Sequence, residues 1–376
     1  MDGASNSSES QNSTGVLGNL TSEHVKAYFV TEPPLTQGEL SAVSAAYGAV
    51  FLVGVLGNLL VAVVVLKVPH MRSPTNYLLL NLSVADLLVL LVCMPVSLTE
   101  TWVVYPWILG EFICYFSPYM EFVTFHASTL TIMVISVERY FVICKPLHCK
   151  ETLTGRFIAG VLVVLWAAAF ITSLPVLFIT HFKQIDSVGP DQLYTCETES
   201  STFWAKVYLL SSAVVFYFVP IVLLSGCCLV ISRHLNNPDA QPSVGQRAAM
   251  VNRIRSRKQV TYMLLAVVVL FFICLLPYRV TMLGLIYDVQ KMLQLMGRKS
   301  VLILIMICRI MVYINSTVNP ILYNINSTKF RSAFKQAIGI TARNDKSQGM
   351  TEAMAMTDNI RQHTRRHSRA DSVQEH

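Results

Sequence analysis

The sequence predicts an all-α membrane protein: a bundle of seven transmembrane helices. Of the 376 residues, 53% are hydrophobic and only 14% are charged, and a water-soluble domain cannot bury that much apolar surface. The apolar residues also fall into runs of the length that crosses a bilayer, about 20 residues for roughly 30 Å of hydrocarbon. Seven such runs occur, near residues 43–66, 77–99, 112–137, 157–179, 205–231, 260–287 and 301–324.

Basic residues in the loops predict the orientation. The loops and tail that follow spans one, three, five and seven are rich in Lys and Arg, as in residues 253–258, whereas the loop before span five is mainly acidic. The positive-inside rule therefore predicts an extracellular N-terminus and a cytosolic C-terminus in the plasma membrane. Basic loops beside anionic lipid account for the net charge of +7, so no nucleic-acid partner is implied.

Polar segments flank the predicted bundle. Residues 1–40 form a polar external tail with three N-glycosylation sequons, at Asn6, Asn12 and Asn19. The bundle itself is assigned to residues 41–326. Residues 341–376 are polar and mixed in charge, which is typical of a disordered cytoplasmic tail.

Two of the nine cysteines are predicted to form a disulfide. Most cysteines lie in spans or on the cytosolic side, where a small apolar packing role is the default. Cys114, at the outer end of span three, and Cys196, in the loop before span five, both face the oxidising side, so we expect them to pair. The bond would hold that loop over the outer mouth of the bundle.

Polar side chains recur at a similar depth inside the spans. An ionised carboxylate near the bilayer centre costs about 2.5–3.5 kcal/mol on insertion scales, so Asp86 needs partners. One interpretation is a hydrogen-bonded cluster that only joins helices; the other is a site for water or a small cation whose occupancy depends on conformation. Pro320 frees a carbonyl in span seven, which predicts a hinge beside the cluster. The cluster comprises Asn58, Asp86, Ser128, Asn315, Ser316 and Asn319.

A second polar constellation, Glu138-Arg139-Tyr140, closes span three at its cytosolic end. Adjacent residues do not share a helix face, so Glu138 and Arg139 are predicted to point in different directions. We expect Arg139 to point into the bundle, the alternative being an arginine that snorkels to the interface.

Motifs in all seven spans together resemble the rhodopsin-like, or class A, family of G-protein-coupled receptors. They occur in the family's order: Gly57-Asn58, NLSVADLL (81–88), Trp107 with Cys114, ERY (138–140), Trp166, Pro220, FFICLLP (271–277) and NPILY (319–323). The resemblance implies that Arg139 meets the G protein, that Asn319 to Tyr323 rearrange on activation, and that kinases and arrestin act at the tail. It also implies a sodium ion at Asp86, held with Asn58, Ser128, Asn315 and Asn319.

The same resemblance implies an amphipathic eighth helix on the cytosolic membrane surface, over residues 327–340. Phe330 and Phe334 recur there at helical spacing among basic residues.

Three residues depart from the family pattern. Cys228 stands where a tyrosine is usual in span five, and Arg257 stands where some members have an acidic residue. Leu275, two residues before Pro277, replaces the usual tryptophan, so rotation of an indole ring cannot be the activation switch. An ionic lock from Arg139 to span six is not expected either.

The longer resemblance is to neuropeptide receptors of the thyrotropin-releasing-hormone, neuromedin U and ghrelin group, in particular to arthropod ecdysis-triggering-hormone receptors. It is carried by MRSPTNYLLLNLSVADLLVLLVCMP, RKQVTYMLL with FFICLLPYRV, and CRIMVYINSTVNPILYN. Such receptors bind C-terminally amidated peptides with a Pro-Arg element near the end and mobilise calcium through G proteins.

Three charged residues are predicted to mark the ligand pocket in the outer third of the bundle: Glu121, Arg279 and Arg309. Our hypothesis is that a ligand arginine binds Glu121, while Arg279 or Arg309, with Phe125, Tyr278 and Tyr313, holds the peptide carbonyls and terminal amide. The alternative is structural: Glu121 pairs with Arg279 or Arg309 and clamps the helices together.

The motifs of an enzyme are missing from the sequence: it has no Gly-rich phosphate loop, no HExxH and no nucleophile with its base. A seven-helix transporter or channel is the remaining alternative. It would spread charges over several spans and show paired halves, and no internal repeat is visible.

Overall fold

The computed structural model describes residues 35–145, 154–185, 192–236 and 247–337, with side chains omitted at 235–236 and 247–264. The three glycosylation sequons, the tail at 341–376 and the Arg257 side chain lie outside these residues. Within them, seven helices are long and apolar enough to cross a membrane, which confirms the predicted fold class. They are α1 (Gln37–Lys67), α2 (Pro74–Trp102), α3 (Gly110–Cys144), α4 (Gly155–Ile179), α5 (Phe203–His234), α6 (Arg247–Met296, interrupted at Asp288) and α7 (Arg298–Asn326).

All seven helices begin earlier than the apolar runs predict and all but α4 end later, and in three of them a polar capping residue extends the N-terminus. Thr36 and Glu39 form a capping box at the start of α1, in which each side chain accepts a hydrogen bond from the other residue's backbone N–H. Ser73 caps α2 ahead of Pro74, and Thr154 caps α4. Helix length is therefore set by caps as well as by hydropathy.

Two transmembrane helices widen into a single turn of π-helix. These turns are Val89–Cys93 in α2 and Val214–Phe218 in α5. Such bulges change the direction of the side chains that follow them and are frequent at functional sites. In α5 the turn presents Phe216, whose ring stacks on His126 of α3 at 3.7 Å.

The polar side chains of α3 are buried against neighbouring helices. His126 is fully buried: its Nδ1 lies 3.0 Å from the hydroxyls of Thr172 and Ser173 in α4, and its Nε2 lies 3.0 Å from Ser212 in α5. Asn81 of α2 donates to Thr131, and it accepts from the Trp166 indole at 2.8 Å. These contacts explain how so polar a helix is accommodated among apolar ones.

The contact between α1 and α7 explains how α7 tolerates its proline. Pro320 has no N–H to donate, which frees the carbonyl of Ser316 four residues earlier. The Asn58 Nδ2 of α1 donates to that carbonyl at 2.9 Å. The approach requires glycine on α1, because a Cβ atom at Gly57 would lie 3.0 Å from the Pro320 ring and one at Gly54 would lie 2.5 Å from Thr317.

An eighth helix, α8 (Thr328–Ala337), follows α7 after a break at Ser327; residues 338–340 of the predicted 327–340 lie outside the described residues. Its buried face consists of Phe330, Ala333 and Phe334. The Phe330 ring lies 5.5 Å from that of Tyr323, so α8 packs against the inner end of α7.

A β-hairpin covers the outer end of the bundle, an element that our sequence analysis did not predict. Strands β1 (Thr180–Ile185) and β2 (Leu193–Thr198) are antiparallel, with Phe182 opposite Cys196. After β2, the Ser201 hydroxyl and the His181 imidazole hydrogen-bond to the Glu199 carboxylate and lower its pKa. The predicted disulfide between Cys114 and Cys196 is present and ties β2 to α3.

Loss of this disulfide should destabilise the outer end of the protein by about 2–5 kcal/mol. We expect Cys114→Ser and Cys196→Ser each to lower surface expression, and the double variant to be no worse than either single one, because all three lack the same bond. Flow cytometry of an epitope-tagged chain measures this. Cys228→Ser, which removes a half-buried free thiol, is the matched control. Additive losses in the double variant would argue against a shared bond.

Candidate functional site

A cavity of about 420 Å³ opens beneath the hairpin, and five of the six residues predicted to bind the ligand line it. Glu121 and Phe125 come from α3, Tyr278 and Arg279 follow Pro277 in α6, and Arg309 comes from α7. Cys196 and Thr198 of β2 also border the cavity, so the disulfide fixes part of its outer wall. The volume lies within the range of ligand pockets.

Glu121 points at α6 rather than at an arginine. Its carboxylate accepts a hydrogen bond from the Tyr278 hydroxyl at 3.3 Å, a long contact. Among the described residues, the ion pairs do not include Glu121. The alternative in which Glu121 pairs with Arg279 or Arg309 and clamps the helices is therefore not seen.

Arg279 stacks on an aromatic ring. Its guanidinium carbon lies 3.8 Å from the centre of the Phe125 ring, which is a cation–π contact. Phe125 in turn stacks on Phe271 of α6 at 6.3 Å. The Nε of Arg279 is buried without a hydrogen-bond partner among the residues described. This guanidinium therefore keeps donors that a ligand oxygen could use.

Arg309 has a carboxylate partner that we did not predict. It pairs with Glu100 of α2, and its Nη1 also donates to Ser97 at 3.2 Å. Ser97 in turn lies 3.0 Å from the Tyr47 hydroxyl of α1. Arg309 thus joins α7 to α2, and through Ser97 to α1, instead of reaching across to Glu121.

Tyr313 does not line the cavity, which corrects its predicted role in ligand binding. It is buried, 3% exposed, and its ring packs edge-on against Tyr47 of α1 at 5.7 Å. The rotation of α7 that directs Arg309 toward α2 directs Tyr313, one turn further in, toward α1.

The inner end of the cavity meets the predicted polar cluster. Ser128, Asn315 and Ser316 line it there. Just beyond, Asn319 donates to the Asp86 carboxylate at 2.8 Å. Within the described residues, Asn58 Oδ1 is buried without a hydrogen-bond partner. The cluster thus combines one carboxylate, neutral oxygens and an unused acceptor, a donor set that suits a hard monovalent cation.

At the opposite end of α3, Arg139 contacts Thr75 of α2 and pairs with Glu138, a contact that the helix-face rule does not predict. The Nε and Nη2 atoms of Arg139 lie 2.5 and 2.6 Å from the Glu138 carboxylate, and both side chains contact Thr75 of α2. The arginine side chain is long enough to fold back on its neighbour. Tyr140 packs on Phe141, and Tyr323 is fully buried beside α8.

Leu275 links the ligand cavity to the apolar core below it. It lines the cavity, is 3% exposed and packs in the cluster that contains Phe271 and Tyr323. Movement of α6 at Pro277 would therefore displace a branched aliphatic side chain rather than an indole.

The sequence profile of the family described as 7 transmembrane receptor (rhodopsin family) matches residues 57–323. This match covers most of the chain and includes the polar cluster, the Glu138-Arg139 pair and the outer cavity. The chain belongs to the rhodopsin family of seven-transmembrane receptors.

Individual members of the family are similar to this receptor over most of their length. Neuromedin-U receptor 2 of Rattus norvegicus is 34% identical over 306 residues, which are 80% of this chain and 76% of the relative. Growth hormone secretagogue receptor type 1 of Sus scrofa is 32% identical over 336 residues, 85% and 88% of the two chains. QRFP-like peptide receptor of Branchiostoma floridae is 30% identical over 313 residues, 80% and 78% of the two chains.

Membership of this family decides between the broad function classes. The relatives are receptors, so the transporter or channel alternative is not favoured, and an enzyme is not expected. The receptor is a multi-pass membrane protein with seven candidate spans among its described residues.

Proposed function

We propose that this receptor binds a C-terminally amidated peptide with a Pro-Arg element near its end, of the ecdysis-triggering-hormone type, and then activates a calcium-mobilising heterotrimeric G protein. The names of the relatives support the peptide class, because they include a neuromedin-U receptor and a QRFP-like peptide receptor. The observation that carries the proposal is the outer cavity, in which a carboxylate and a guanidinium are each left without an ionic partner among the described residues.

The charges of the cavity favour a cationic ligand group at Glu121. Arg309 is engaged by Glu100, which leaves Glu121 with one long hydrogen bond from a neutral hydroxyl. A buried carboxylate is strongly stabilised by a guanidinium that can bind it with two parallel hydrogen bonds. In this proposal the peptide arginine enters the cavity and binds Glu121.

Arg279 is the proposed contact for the amidated end of the peptide. Its guanidinium is held on the Phe125 ring and retains an unused Nε–H. In this proposal it donates to carbonyl oxygens at the amidated end of the peptide. Arg309 is less suited to that task, because Glu100 and Ser97 already occupy its Nη1.

A calcium assay tests this function. Cells that express the receptor should release calcium in response to synthetic amidated peptides ending in a Pro-Arg element, and not to the same peptides with the arginine replaced by citrulline. Citrulline keeps the shape of arginine and removes its charge, so the comparison isolates the ionic contact. Equal responses to both peptides, or no response to any amidated peptide, would contradict the proposal.

The remaining parts of the receptor have proposed roles as well. The N-terminus lies outside the cell in this proposal and is glycosylated at Asn6, Asn12 and Asn19. The C-terminus lies in the cytosol, where kinases and arrestin act on it, and α8 lies along the membrane lipid. A protease-accessible tag at each end of the chain, assayed on intact cells, tests the orientation.

We also propose that a sodium ion binds at Asp86. The carboxylate, the unused Asn58 Oδ1 and the oxygens of Ser128, Asn315 and Asn319 are the groups that would hold it. The inner end of the cavity, lined by Ser128 and Asn315, supplies a route from outside. A cation that favours the resting arrangement must oppose any peptide that favours the active one, because coupling between sites is reciprocal.

Sodium should therefore weaken peptide affinity, and Asp86→Asn should remove that dependence. Radioligand displacement in sodium chloride and in choline chloride of equal ionic strength measures the effect. Ser128→Ala should reduce the sodium effect, whereas the matched control Thr129→Ala, which removes a buried hydroxyl without a partner in the described part of the chain, should not. An unchanged sodium effect in Asp86→Asn would favour a cluster that only joins helices.

A further inference from the structure

A second cavity, of about 220 Å³, lies beside the first at the outer end of α2 and α7. We call it the side cavity. Slightly more than half of its wall is apolar, and Glu100, Thr101, Thr195 and Arg309 are among its polar lining residues. The apolar part is formed by aliphatic and aromatic side chains of α7 and of the loop after α2. These are Val103, Val104, Tyr105, Trp107, Leu302, Ile305 and Met306. The volume corresponds to about seven water molecules.

The two cavities share a wall. Glu100, Cys196 and Arg309 line both of them, so the Glu100–Arg309 ion pair stands at the boundary. The Nε of Arg309 is buried, and within the described chain it has no hydrogen-bond partner. An unsatisfied buried donor costs about 1–3 kcal/mol. The described residues therefore leave the guanidinium at this boundary only partly satisfied.

The roof of the side cavity is held in place before any ligand arrives. The Trp107 backbone N–H donates to Tyr194 of β2 at 2.8 Å, and its indole donates to the Gly110 carbonyl at the start of α3. Gly110 has φ +77°, which favours glycine. The Cys114–Cys196 disulfide fixes β2 to α3. A cavity with a fixed roof loses little freedom when it is filled.

We propose that the side cavity is a second subsite, which binds an apolar side chain of the peptide on the N-terminal side of its arginine. The peptide backbone crosses the boundary beside the Glu100–Arg309 ion pair. This inference rests on the proposed function, because the arginine bound at Glu121 sets the position of the rest of the peptide. Because the amidated end is assigned to Arg279 of α6, the residues before the arginine extend away from α6, toward α2 and the side cavity.

The subsite makes the receptor selective for an aromatic or large aliphatic residue at one position of the peptide. Burying such a side chain gives roughly a tenfold to hundredfold gain in affinity over alanine.

Synthetic peptides and cavity-filling variants test the subsite together. The probes are amidated peptides with a common Pro-Arg element, in which phenylalanine or alanine stands at each of the five positions before the proline. In the wild-type receptor, one position should show a tenfold to hundredfold higher potency for phenylalanine in the calcium assay. Ile305→Trp or Leu302→Trp should bring the ratio of phenylalanine-peptide to alanine-peptide potency close to one.

The matched control is Ile307→Trp, which adds the same bulk to α7 at a side chain that is 52% exposed and does not line the side cavity. It should keep the wild-type ratio. If the filling variants fail to reach the surface, Ile305→Ala enlarges the cavity instead, and it should raise the potency of a tryptophan peptide relative to the phenylalanine peptide.

The outcomes separate this inference from the proposed function. If amidated Pro-Arg peptides activate the receptor but no position prefers phenylalanine, or the ratio survives in the Ile305 and Leu302 variants, the subsite is overturned and the proposed function stands. If no amidated Pro-Arg peptide activates the wild-type receptor, the proposed function fails and the subsite fails with it.

Discussion

Glu121→Gln should lower the affinity of an amidated Pro-Arg peptide by about 30-fold to several thousandfold. The expected cost is about 2–5 kcal/mol, because the substitution leaves the peptide guanidinium buried without its anionic partner. The receptor itself should tolerate the change, since Tyr278 donates its hydrogen bond to an amide oxygen as readily as to a carboxylate. Competition binding with a labelled peptide measures the loss.

A peptide with citrulline in place of that arginine is the second substitution of a double-mutant cycle between receptor and peptide. Its affinity should hardly differ between wild-type and Glu121→Gln receptors, because uncharged citrulline forms no ion pair with either side chain at position 121. Glu111→Gln makes the same change at an exposed position on α3 and should leave both peptides unaffected. Equal losses for the arginine and citrulline peptides in Glu121→Gln would show that the two groups are not coupled.

Arg139→Ala should abolish G-protein signalling while peptide binding persists. Arg139 lies at the inner end of α3, five turns from Glu121, so its loss should not change the outer cavity. Calcium release, surface expression and peptide affinity are measured on the same cells. Arg156→Ala, at an exposed site in the first turn of α4, is the control for loss of a basic side chain. Full signalling by Arg139→Ala would remove this residue from the mechanism.

The pairing of Arg139 with Glu138 gives a converse expectation. If that ion pair and the contacts with Thr75 restrain Arg139, Glu138→Gln should raise signalling in the absence of peptide. Basal signalling equal to that of the wild type would show that the ion pair does not hold the resting state.

Sequence reasoning located the spans and the depth of the charged residues, because both depend on position along one helix. Counting turns from Cys114 and from Pro320 placed Glu121 and Arg309 at the outer cavity, where the structure has them. The two-strand hairpin was missed, although Thr180–Ile185 and Leu193–Thr198 are rich in β-branched and aromatic residues and Gly189-Pro190 between them is a turn signal.

Counting turns along one helix could not predict which side chains of different helices contact each other. The partner of Arg309 is 209 residues away, and Glu100 and Glu121 are equally suitable by chemistry. The choice depends on the rotation of α7 about its axis, and neighbouring residues on a helix differ by about 100°. The same rotation removed Tyr313 from the cavity. Glu138 and Arg139 show a different limit: the rule for helix faces describes Cβ directions, and a long guanidinium side chain can turn back on its neighbour.

The hydrogen bond from Asn58 to the Ser316 carbonyl also bears on how the chain is assembled during synthesis. Its two residues are 258 positions apart, in the first and the last of the seven spans. Chains emerge from the ribosome N-terminus first. The donor is therefore already in the membrane when the proline-containing span arrives. Of the two carbonyls that the Asn58 amide binds in the structure, only that of Gly54 belongs to its own helix. A chain that stops after α6 lacks the Ser316 carbonyl, so this hydrogen bond between the first and the seventh span can form only once α7 is in place.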